Sequence, residues 1–491
     1  MSDSSHYPTE ATERLARFTV ATRYEDIPTE VREITRLLLV DSVGCALGGT
    51  TVDKGRLAIE VSRTFGASTE CSVIGSAHRA SVVAASFANG ELINALDMDA
   101  ILVPGHISPY VVPTALALAE QRGAGGRELI RALALAHEVG ARVAAAYEPL
   151  RTLRGEPPHL RYELSAATGY GSSIVGAAAG AAAVLGFDVA RTRSCFGVAG
   201  YMTPVPGLGK YLRLAASPHV KYTSAGWVAA GASTAALLVE KGYGGDPGVL
   251  DGDHGLWRMF ASSACDWTAM LGDLGRTWRT LESELKPYPS FRMGHPGVEA
   301  FVHLLDRERL DPEEIERVTV RVDPVSMSPL YLNTRIENHT DAQLSWAYVL
   351  GAATYYPPGP RWQGREALSD ARIRRLMQKV VVEPQTAWAG QLYDEVRAEG
   401  GVIATPFSIP VEVTVAARGR QYAAEPLPYP KGHPKRPMSL DEISRKFLEN
   451  AEAALARAGA ERLLQALLAI DTVADSRPVL RQLGSEDAGR G

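Results

Sequence analysis

Much of the chain from about residue 9 to residue 275 carries apolar side chains at helical spacing. In residues 126–147, GRELIRALALAHEVGARVAAAY, apolar positions recur every three or four residues and charged positions fall on the other side. Residues 172–187 and 225–242 consist largely of Ala, Gly and Val, side chains small enough to let helices approach closely. Gly186 and Gly242 are typical helix stops. The pattern predicts a large all-helical domain.

The periodicity changes after Lys286. Residues 315–324, IERVTVRVDP, alternate apolar and polar side chains as a half-buried strand does. Residues 411–427 have the pattern of a strand, a turn at Arg418-Gly419 and a second strand. Two helical patterns lie between these strands, in residues 342–356 and 370–383. This mixture predicts a smaller α+β domain.

Helical periodicity returns near the C-terminus. Ser439 followed three residues later by Glu442 is a capping-box pattern at the start of a helix. A second helical region of this size is too small to stand alone, so we expect it to pack on the first domain. The predicted fold class is mainly α, with the α+β domain inserted between helical parts. The predicted division is 1–280 (helical), 281–432 (α+β), 433–480 (returning helices) and 481–491 (disordered tail).

Composition limits the kinds of partner, cofactor and cellular location that we expect for this chain. The 51 basic and 56 acidic residues are well mixed and give a net charge of −5, which does not favour nucleic acid or an anionic membrane. The four cysteines are scattered, so neither a disulfide framework, a zinc site nor an iron–sulfur cluster is indicated. The N-terminus lacks a signal pattern, and the longest apolar run, Ile174 to Phe187, is shorter than a bilayer span. We therefore expect a cytoplasmic protein whose partners are small molecules or other proteins.

Common cofactor motifs do not occur in the sequence. It has no H-E-x-x-H and no G-x-S-x-G motif. Residues 206–211, PGLGKY, resemble part of a Walker A motif, but Tyr211 stands where that motif needs Ser or Thr. No G-x-G-x-x-G follows a predicted strand. The sequence therefore gives no support for a nicotinamide or flavin cofactor.

The stretch NGELINALDMDAILVPGHISPYVVP, residues 89–113, holds the densest chemistry. Pro104 and Gly105 end any helix there, so a loop can bring Asp97 and His106 together for acid–base chemistry. The plainer alternative is a local capping or salt-bridging role for Asp97 and a hydrogen-bonded loop histidine. A D-x-D metal site with Asp99 is less favoured, because no further oxygen ligands follow.

Two lysines and a histidine stand at other informative places. Lys221 lies at the entry of a helix rich in small residues, where a cation opposes the helix dipole. Lys286 precedes a rigid Pro-x-Pro segment near the predicted domain boundary, and ligand pockets commonly lie between domains. His295 precedes Pro296, a good first helical residue. Lys221 is either a solvated surface residue or a cation held for a carboxylate ligand.

Several segments, taken in order, carry a family resemblance. They are LLLVDSVGCALGG, the NGELINALDMDA stretch with GHISPYVVP, VKYTSAG, LKPYPSFRMGHPGVEA and KGHPKRPMSLDEISRKF. This set is similar to the MmgE/PrpD family, which includes 2-methylcitrate dehydratase, cis-aconitate decarboxylase and iminodisuccinate epimerase, and the resemblance runs from about residue 10 to 470. It implies a helical domain, an inserted α+β lid, returning C-terminal helices, a homodimer and no cofactor. The implied site lies between helical domain and lid.

The resemblance also implies roles for individual residues. Asp97 and His106 match the family's aspartate and histidine motifs, and Lys221 and Lys286 match its two lysines. Lysine cations can stabilise charge that builds on a substrate carboxylate, and His106, oriented by Asp97, can transfer a proton. These four are the predicted catalytic residues. The predicted substrate-binding residues are Asp99, Ser108, Ser224, Phe291, Arg292 and His295.

The chain departs from the family pattern at the same place. Ala100 and Ile101 replace a polar pair, Ile107 replaces a proline and Asn94 replaces a histidine. Ser224 also stands at a histidine position, and Phe291 at a position that is commonly cysteine or histidine. These changes predict a drier, less charged pocket, so we expect a substrate other than 2-methylcitrate, with fewer charges or a larger apolar substituent.

The leading hypothesis is a cofactor-independent lyase that removes water or carbon dioxide from a hydroxylated or unsaturated polycarboxylate. An isomerase that removes and returns a proton next to a carboxylate is the first alternative. A non-catalytic ligand-binding relative is the second.

Overall fold

A computed structural model describes residues 9–102, 105–147, 151–154, 161–164, 170–214, 217–322, 324–385 and 411–484. Helices dominate these residues and the sheets are small, which confirms the predicted mainly-α class. The α-helices, numbered α1 to α20, are Ala11–Ala21, Thr29–Gly49, Asp53–Ser62, Val82–Asn94, Ser108–Arg122, Gly126–Ala146, Ile174–Leu185, Val189–Tyr201, Leu208–Tyr211, Ala225–Glu240, Leu256–Met259, Trp267–Leu271, His295–Glu308, His339–Leu344, Trp346–Tyr355, Arg365–Ser369, Ala371–Met377, Leu440–Ala451, Arg457–Leu468 and Arg477–Leu480.

Short elements connect these helices. The 3-10 helices are Tyr24–Asp26, Arg63–Phe65, Gly171–Ser173, Gly252–His254, Arg279–Glu282, Arg292–Gly294, Pro312–Glu314, Pro324–Met327, Pro360–Gln363, Ile470–Thr472 and Arg481–Leu483. The strands, numbered β1 to β10, are Cys71–Ser72, Arg79–Ala80, Ile101–Leu102, Gly105–His106, Arg151–Arg154, Arg161–Leu164, Ile315–Val322, Val380–Pro384, Glu412–Ala417 and Arg420–Ala423.

Small residues let the N-terminal helices pack backbone to backbone, as their composition predicts. A Cβ atom on Gly176 of α7 would lie 2.3 Å from the carbonyl oxygen of Ala136 on α6. A Cβ atom on Gly226 of α10 would lie 2.3 Å from the carbonyl oxygen of Phe87 on α4. Both approaches are closer than any side chain tolerates, so glycine is required at both positions.

The later strands form one four-stranded sheet with the order β10-β9-β7-β8. Strands β7 and β8 are parallel, while β9 pairs antiparallel with both β7 and β10. Arg418 and Gly419 join β9 to β10 with φ values of +54° and +65°. Positive φ at both positions suits a tight hairpin turn, so the predicted strand–turn–strand is confirmed.

Helix α18 begins with the predicted capping box. The Ser439 backbone N–H donates to Glu442 Oε2 at 2.7 Å, and the Glu442 N–H donates to Ser439 Oγ at 3.2 Å. Phe447 then packs on Gly44 of α2. The C-terminal helix therefore lies against an N-terminal one, while the domain boundaries at 280 and 432 stay predictions.

The predicted disordered tail, residues 481–491, includes residues that the structure shows to be ordered. Arg481–Leu483 form a 3-10 helix with Leu483 buried, and the Leu483 carbonyl accepts from the Gly75 N–H at 2.8 Å. This apolar anchor orders the segment, and residues 485–491 lie outside the described residues. In the described part of the chain, no helix combines the length and apolar character needed to span a bilayer.

Candidate functional site

The segment after α4 turns back on itself and brings its polar side chains together. Asp97 has φ +56°, a left-handed conformation that non-glycine residues seldom adopt. Strands β3 and β4 then pair antiparallel, with Ile101 opposite His106. The predicted loop that joins Asp97 and His106 is therefore present, although Pro104 lies outside the described residues. Unusual backbone of this kind is frequent at functional sites.

His106 lies between two buried carboxylates. Its Nδ1 is 2.6 Å from Asp99 Oδ2, and its Nε2 is 3.3 Å from Asp97 Oδ1. The short contact indicates that Nδ1–H donates to Asp99, which leaves Nε2 on the side of Asp97. We predicted that Asp97 orients His106 and that Asp99 binds substrate, but the closer contact to the ring belongs to Asp99.

Both predicted lysines reach the Asp97 carboxylate. Lys221 Nζ donates to Asp97 Oδ1 at 2.9 Å and to the Asn94 carbonyl at 3.3 Å. Lys286 Nζ lies 3.3 Å from Asp97 Oδ2, at ion-pair distance, yet makes no hydrogen bond within the described part of the chain. Both ammonium groups are buried, so the alternative that Lys221 is a solvated surface lysine is wrong.

Opposite charges set the ionisation of this cluster. Burial raises the pKa of Asp97, but Lys221, Lys286 and His106 outweigh burial and hold that pKa well below its usual value. Burial also raises the pKa of Asp99, but His106, Lys286 and Lys221 together outweigh burial and hold that pKa below its usual value. Burial lowers the pKa of Lys286, although Asp97 and Asp99 oppose the change. The result is two ionised carboxylates beside an ammonium that gives up its proton more readily than an exposed lysine.

The same geometry shows how well Asp97, Asp99 and His106 could bind a metal ion. Asp97, Asp99 and His106 offer three possible ligand atoms within 4.8 Å of one another. However, both oxygens of Asp97 face lysine ammonium groups, whose charge would repel a divalent cation. These donors fit a metal poorly, and the absence of a metal stays a prediction.

Comparison with known families identifies the chain. The family model for the MmgE/PrpD N-terminal domain matches residues 13–267, and the model for the MmgE/PrpD C-terminal domain matches residues 288–472. The chain belongs to the MmgE/PrpD family.

Relatives at low identity extend over much of this MmgE/PrpD chain. The cis-aconitate decarboxylase-like protein oryM of Aspergillus oryzae is 24% identical over 97% of both chains. The cis-aconitate decarboxylase of Aspergillus terreus is 26% identical over 66% of this chain and 68% of its own. The cis-aconitate decarboxylase of Homo sapiens is 22% identical over 90% of this chain and 88% of its own. Identities this low are those of a divergent member.

Aromatic rings surround His106 in this family member. Tyr222 stacks on the imidazole with centroids 5.2 Å apart, and Tyr170 meets the imidazole edge-on at 5.8 Å. Tyr211 in turn packs edge-on against Tyr222 at 5.7 Å. Sequence reasoning missed these tyrosines, although Tyr222 directly follows Lys221. The rings cover two sides of the imidazole, while Asp97 and Asp99 meet its nitrogens.

Asn94, where the family pattern has a histidine, ties the lysines to this aromatic group. Its side-chain Oδ1 accepts from Lys54 Nζ at 3.0 Å, and its Nδ2 donates to the Tyr222 hydroxyl at 3.2 Å. Lys54 also lies 3.1 Å from Glu91 Oε2. The sequence pattern did not single out Lys54, whose buried ammonium is balanced by this carboxylate.

The predicted serines have partners of their own. Ser108 Oγ lies 3.0 Å from His137 Nε2. Ser224 Oγ donates to Glu91 Oε1 at 2.6 Å and accepts from the Trp227 N–H, so it caps α10. Neither recorded contact joins these serines to the Asp97–His106 cluster, and substrate binding by them stays a prediction.

The predicted residues after Lys286 are also engaged. Arg292 donates to both oxygens of Glu284, at 2.7 and 2.8 Å. His295 Nε2 lies 3.1 Å from the Ser290 carbonyl, and burial holds the pKa of His295 well below its usual value. Phe291 stacks on Tyr331 with centroids 4.7 Å apart. The structure thus gives Arg292 a carboxylate of its own, and substrate binding by these residues stays a prediction too.

Residues far along the chain hold the backbone around Asp97. Lys446 of α18 donates to the Met98 carbonyl at 2.7 Å and to Asp41 Oδ1 at 2.5 Å. Gln343 and Gln363 donate to the carbonyls of the residues just before Asp97, at 2.6 and 2.7 Å. Sequence reasoning missed all three, and no local signal marks them.

His137 makes stability depend on pH. Its Nδ1–H donates to the Leu133 carbonyl, so Nε2 accepts from Ser108, and burial lowers its pKa to about 4. The unfolded chain gains this proton near pH 6.5 and the folded chain only near pH 4, so stability falls as pH decreases across that window. We expect His137 to contribute a loss of roughly 3 kcal/mol across it.

Urea unfolding at pH 7 and pH 5 measures this contribution. His137→Leu is expected to flatten the difference between the two pH values relative to the parent chain. An unchanged difference would show that His137 does not titrate in this way.

Proposed function

We propose that this chain is a cofactor-independent lyase that removes carbon dioxide, or water, from an unsaturated or hydroxylated polycarboxylate. The observation that carries the proposal is the cluster itself, in which His106 is held by Asp99 beside two buried lysines on Asp97. Membership of the MmgE/PrpD family and the decarboxylase names of the relatives support the same chemistry.

Lys286 is the proposed anchor for a substrate carboxylate. Its ammonium is buried and paired with Asp97 at 3.3 Å, and an ammonium has three protons, so it can also donate to an entering anion. Asp97 keeps the ammonium charged, while Lys221 adds a second positive charge on the other oxygen of Asp97. A carboxylate bound here has its negative charge stabilised in a dry environment, where such contacts are strong.

His106 Nε2 is the proposed proton-transfer atom. In decarboxylation of a β,γ-unsaturated acid, the bond to the carboxylate breaks, carbon dioxide leaves, and its electron pair forms a new double bond. The electrons of the old double bond then take a proton from Nε2–H, so one proton is consumed for each carbon dioxide released. In dehydration, Nε2 of the neutral imidazole first takes the proton from the carbon next to a carboxylate and then delivers it to the departing hydroxide, so water leaves and no net proton is consumed.

The proposed substrate is smaller in charge or more apolar than 2-methylcitrate. Ala100, Ile101 and Phe291 occupy positions that are polar in the family pattern, and all three are buried. Tyrosine rings cover His106 on two sides. A third carboxylate would find few charged partners among these residues. The proposal includes a homodimer and a cytoplasmic location.

Incubation in deuterated water tests the proposal. Purified protein is mixed with citrate-, aconitate-, alkylmalate- and aspartate-like acids, and products are followed by NMR and gas release. Decarboxylation predicts one deuterium on the carbon that gains the proton for each carbon dioxide released. Dehydration predicts loss of water with a new double bond.

Other outcomes decide against the lyase. Exchange of a substrate proton without net loss would assign the chain to the isomerase alternative. Saturable binding of these acids without turnover or exchange would assign it to the ligand-binding alternative.

A further inference from the structure

Two buried glutamines from the C-terminal part of the chain meet behind the candidate site. Gln343 lies on α14, and Gln363 ends the 3-10 helix Pro360–Gln363. The Gln343 side-chain Nε2 donates to Gln363 Oε1 at 2.7 Å. Their own helices contain none of the proposed catalytic residues, so neither is explained by the mechanism above.

The Gln363 amide joins two separate segments of the site. Its Nε2 donates to the Leu96 carbonyl at 2.7 Å and to the Pro289 carbonyl at 2.9 Å. Carbonyl oxygens only accept, so these two contacts fix which end of the amide carries the nitrogen. Leu96 precedes Asp97, and Pro289 follows Lys286 by three residues. One planar amide therefore sets the spacing between the two segments.

Gln343 reinforces the same arrangement. Its Nε2 also donates to the Ala95 carbonyl at 2.6 Å, and its backbone carbonyl accepts from the Phe291 N–H at 3.0 Å. It thus holds both segments and also fixes the rotamer of Gln363 through Oε1. Paired in this way, the two amides leave little freedom for relative movement of the segments.

The two segments carry the side chains that meet at the centre of the cluster. Asp97 Oδ2 and Lys286 Nζ form an ion pair at 3.3 Å, and each side chain projects from one of the two segments. The relative position of the two backbones therefore decides how closely these charges can approach each other. We propose that Gln363, with Gln343 behind it, is a positioning residue that sets the distance between the Asp97 carboxylate and the Lys286 ammonium.

This distance controls the charge on Lys286. Burial lowers the pKa of Lys286 and Asp97 raises it, so separation from Asp97 lowers it further. The charged and titratable groups around Nζ are Asp97, Asp99, Asp41, Cys45, Lys221 and His295. The two glutamine amides form a bridge between the segments of Asp97 and Lys286. This bridge is attached at Leu96, the residue before Asp97, so its loss changes the distance between Asp97 and Lys286 Nζ first.

Gln363→Met is the direct test, since methionine keeps the length and removes both donors. The inference rests on the proposed function for its activity readout only, so two readouts are used. The first is the pH dependence of acetic anhydride labelling at Lys286, followed by mass spectrometry, which needs no turnover. The second is the pH profile of kcat/KM on an acid found by the deuterium assay.

The expected result is a shift of the Lys286 titration to lower pH by about 1 unit. The alkaline limb of the activity profile should move with it, and kcat/KM should fall about 10- to 100-fold. A shift in labelling without any enzymatic activity would support the bridge and contradict the proposed function. An unshifted titration in a folded variant would overturn the bridge.

Tyr348→Phe is the matched control. The Tyr348 hydroxyl donates to the carbonyl of Trp362, the residue just before Gln363, at 2.6 Å. Its loss removes a buried hydrogen bond from the same segment and leaves both amides intact, so we expect a lower Tm with an unshifted titration. Equal shifts in both variants would show a general structural effect and overturn the proposal. If Gln363→Met does not fold, Gln343→Met must show a shift of the same sign, and its absence would also overturn it.

Discussion

The His106→Gln variant is expected to fold like the parent chain and to lose turnover, with kcat about 100- to 10,000-fold lower. Glutamine can accept the geometry of the loop and can donate to Asp99, but it cannot gain and lose a proton near neutral pH. The measurement is single-turnover kinetics on an acid identified by the deuterium assay, together with a thermal unfolding curve. Both ring nitrogens of His106 face carboxylates of the chain, and Lys286 is the proposed anchor for the substrate. We therefore expect the loss of His106 to lower kcat more than it raises KM.

A second buried histidine supplies the control for this prediction. His137 is as well buried as His106, but its ring is bonded to Ser108 and to the Leu133 carbonyl. We expect His137→Gln to change stability and its pH dependence while kcat stays near that of the parent. Undiminished kcat in His106→Gln would refute the proton-transfer role. A comparable loss of kcat in both variants would show that both substitutions act through folding, and would not support a proton-transfer role for His106.

Features fixed by neighbouring residues could be predicted from the sequence. The helices of the N-terminal region follow from apolar spacing, and the hairpin at Arg418-Gly419 follows from alternation and a turn pair. The Ser439 capping box is likewise a four-residue signal. The approach of Asp97 to His106 follows from a short loop between them. In each case the residues that decide the structure lie within a few positions of one another.

The partners within the site could not be predicted, because long-range packing decides them. Lys446 reaches the Met98 carbonyl across 348 positions, and Gln343 reaches the Ala95 carbonyl across 248. The closer contact of Asp99 with His106 could not be predicted for another reason. A left-handed backbone at Asp97 directs its carboxylate to the lysines, and an ordinary aspartate gives no sign of that conformation.

Residue type alone did not reveal the partners that several predicted substrate-binding residues have within the chain. Arg292 is paired with the carboxylate of Glu284. Ser224 caps a helix. Buried polar groups need partners in the folded protein, and such partners are invisible when residues are considered one by one.

The Lys286→Met variant should separate stability from function. Its ammonium is buried and lacks a hydrogen bond in the described residues, so it bears a desolvation cost that its contact with Asp97 only partly offsets. We therefore expect an unfolding free energy equal to or above that of the parent. We expect kcat/KM to fall about 30-fold or more, since removing a buried charge partner of the substrate costs at least about 2 kcal/mol.

Lys221→Met is the informative contrast, because the two lysines differ in their contacts and share the same carboxylate. Lys221 donates to Asp97 Oδ1 and to the Asn94 carbonyl, so its removal leaves two buried acceptors without their donor. We expect Lys221→Met to lower the unfolding free energy by about 3 kcal/mol or more. Urea unfolding of both variants, beside steady-state kinetics, measures the difference.

If Lys286→Met were destabilised as much as Lys221→Met, or kept full kcat/KM, Lys286 would be a structural partner of Asp97 and not an anchor for substrate. If it is instead as stable as the parent and nearly inactive, the chain retains a buried charge that the fold does not need and the substrate does.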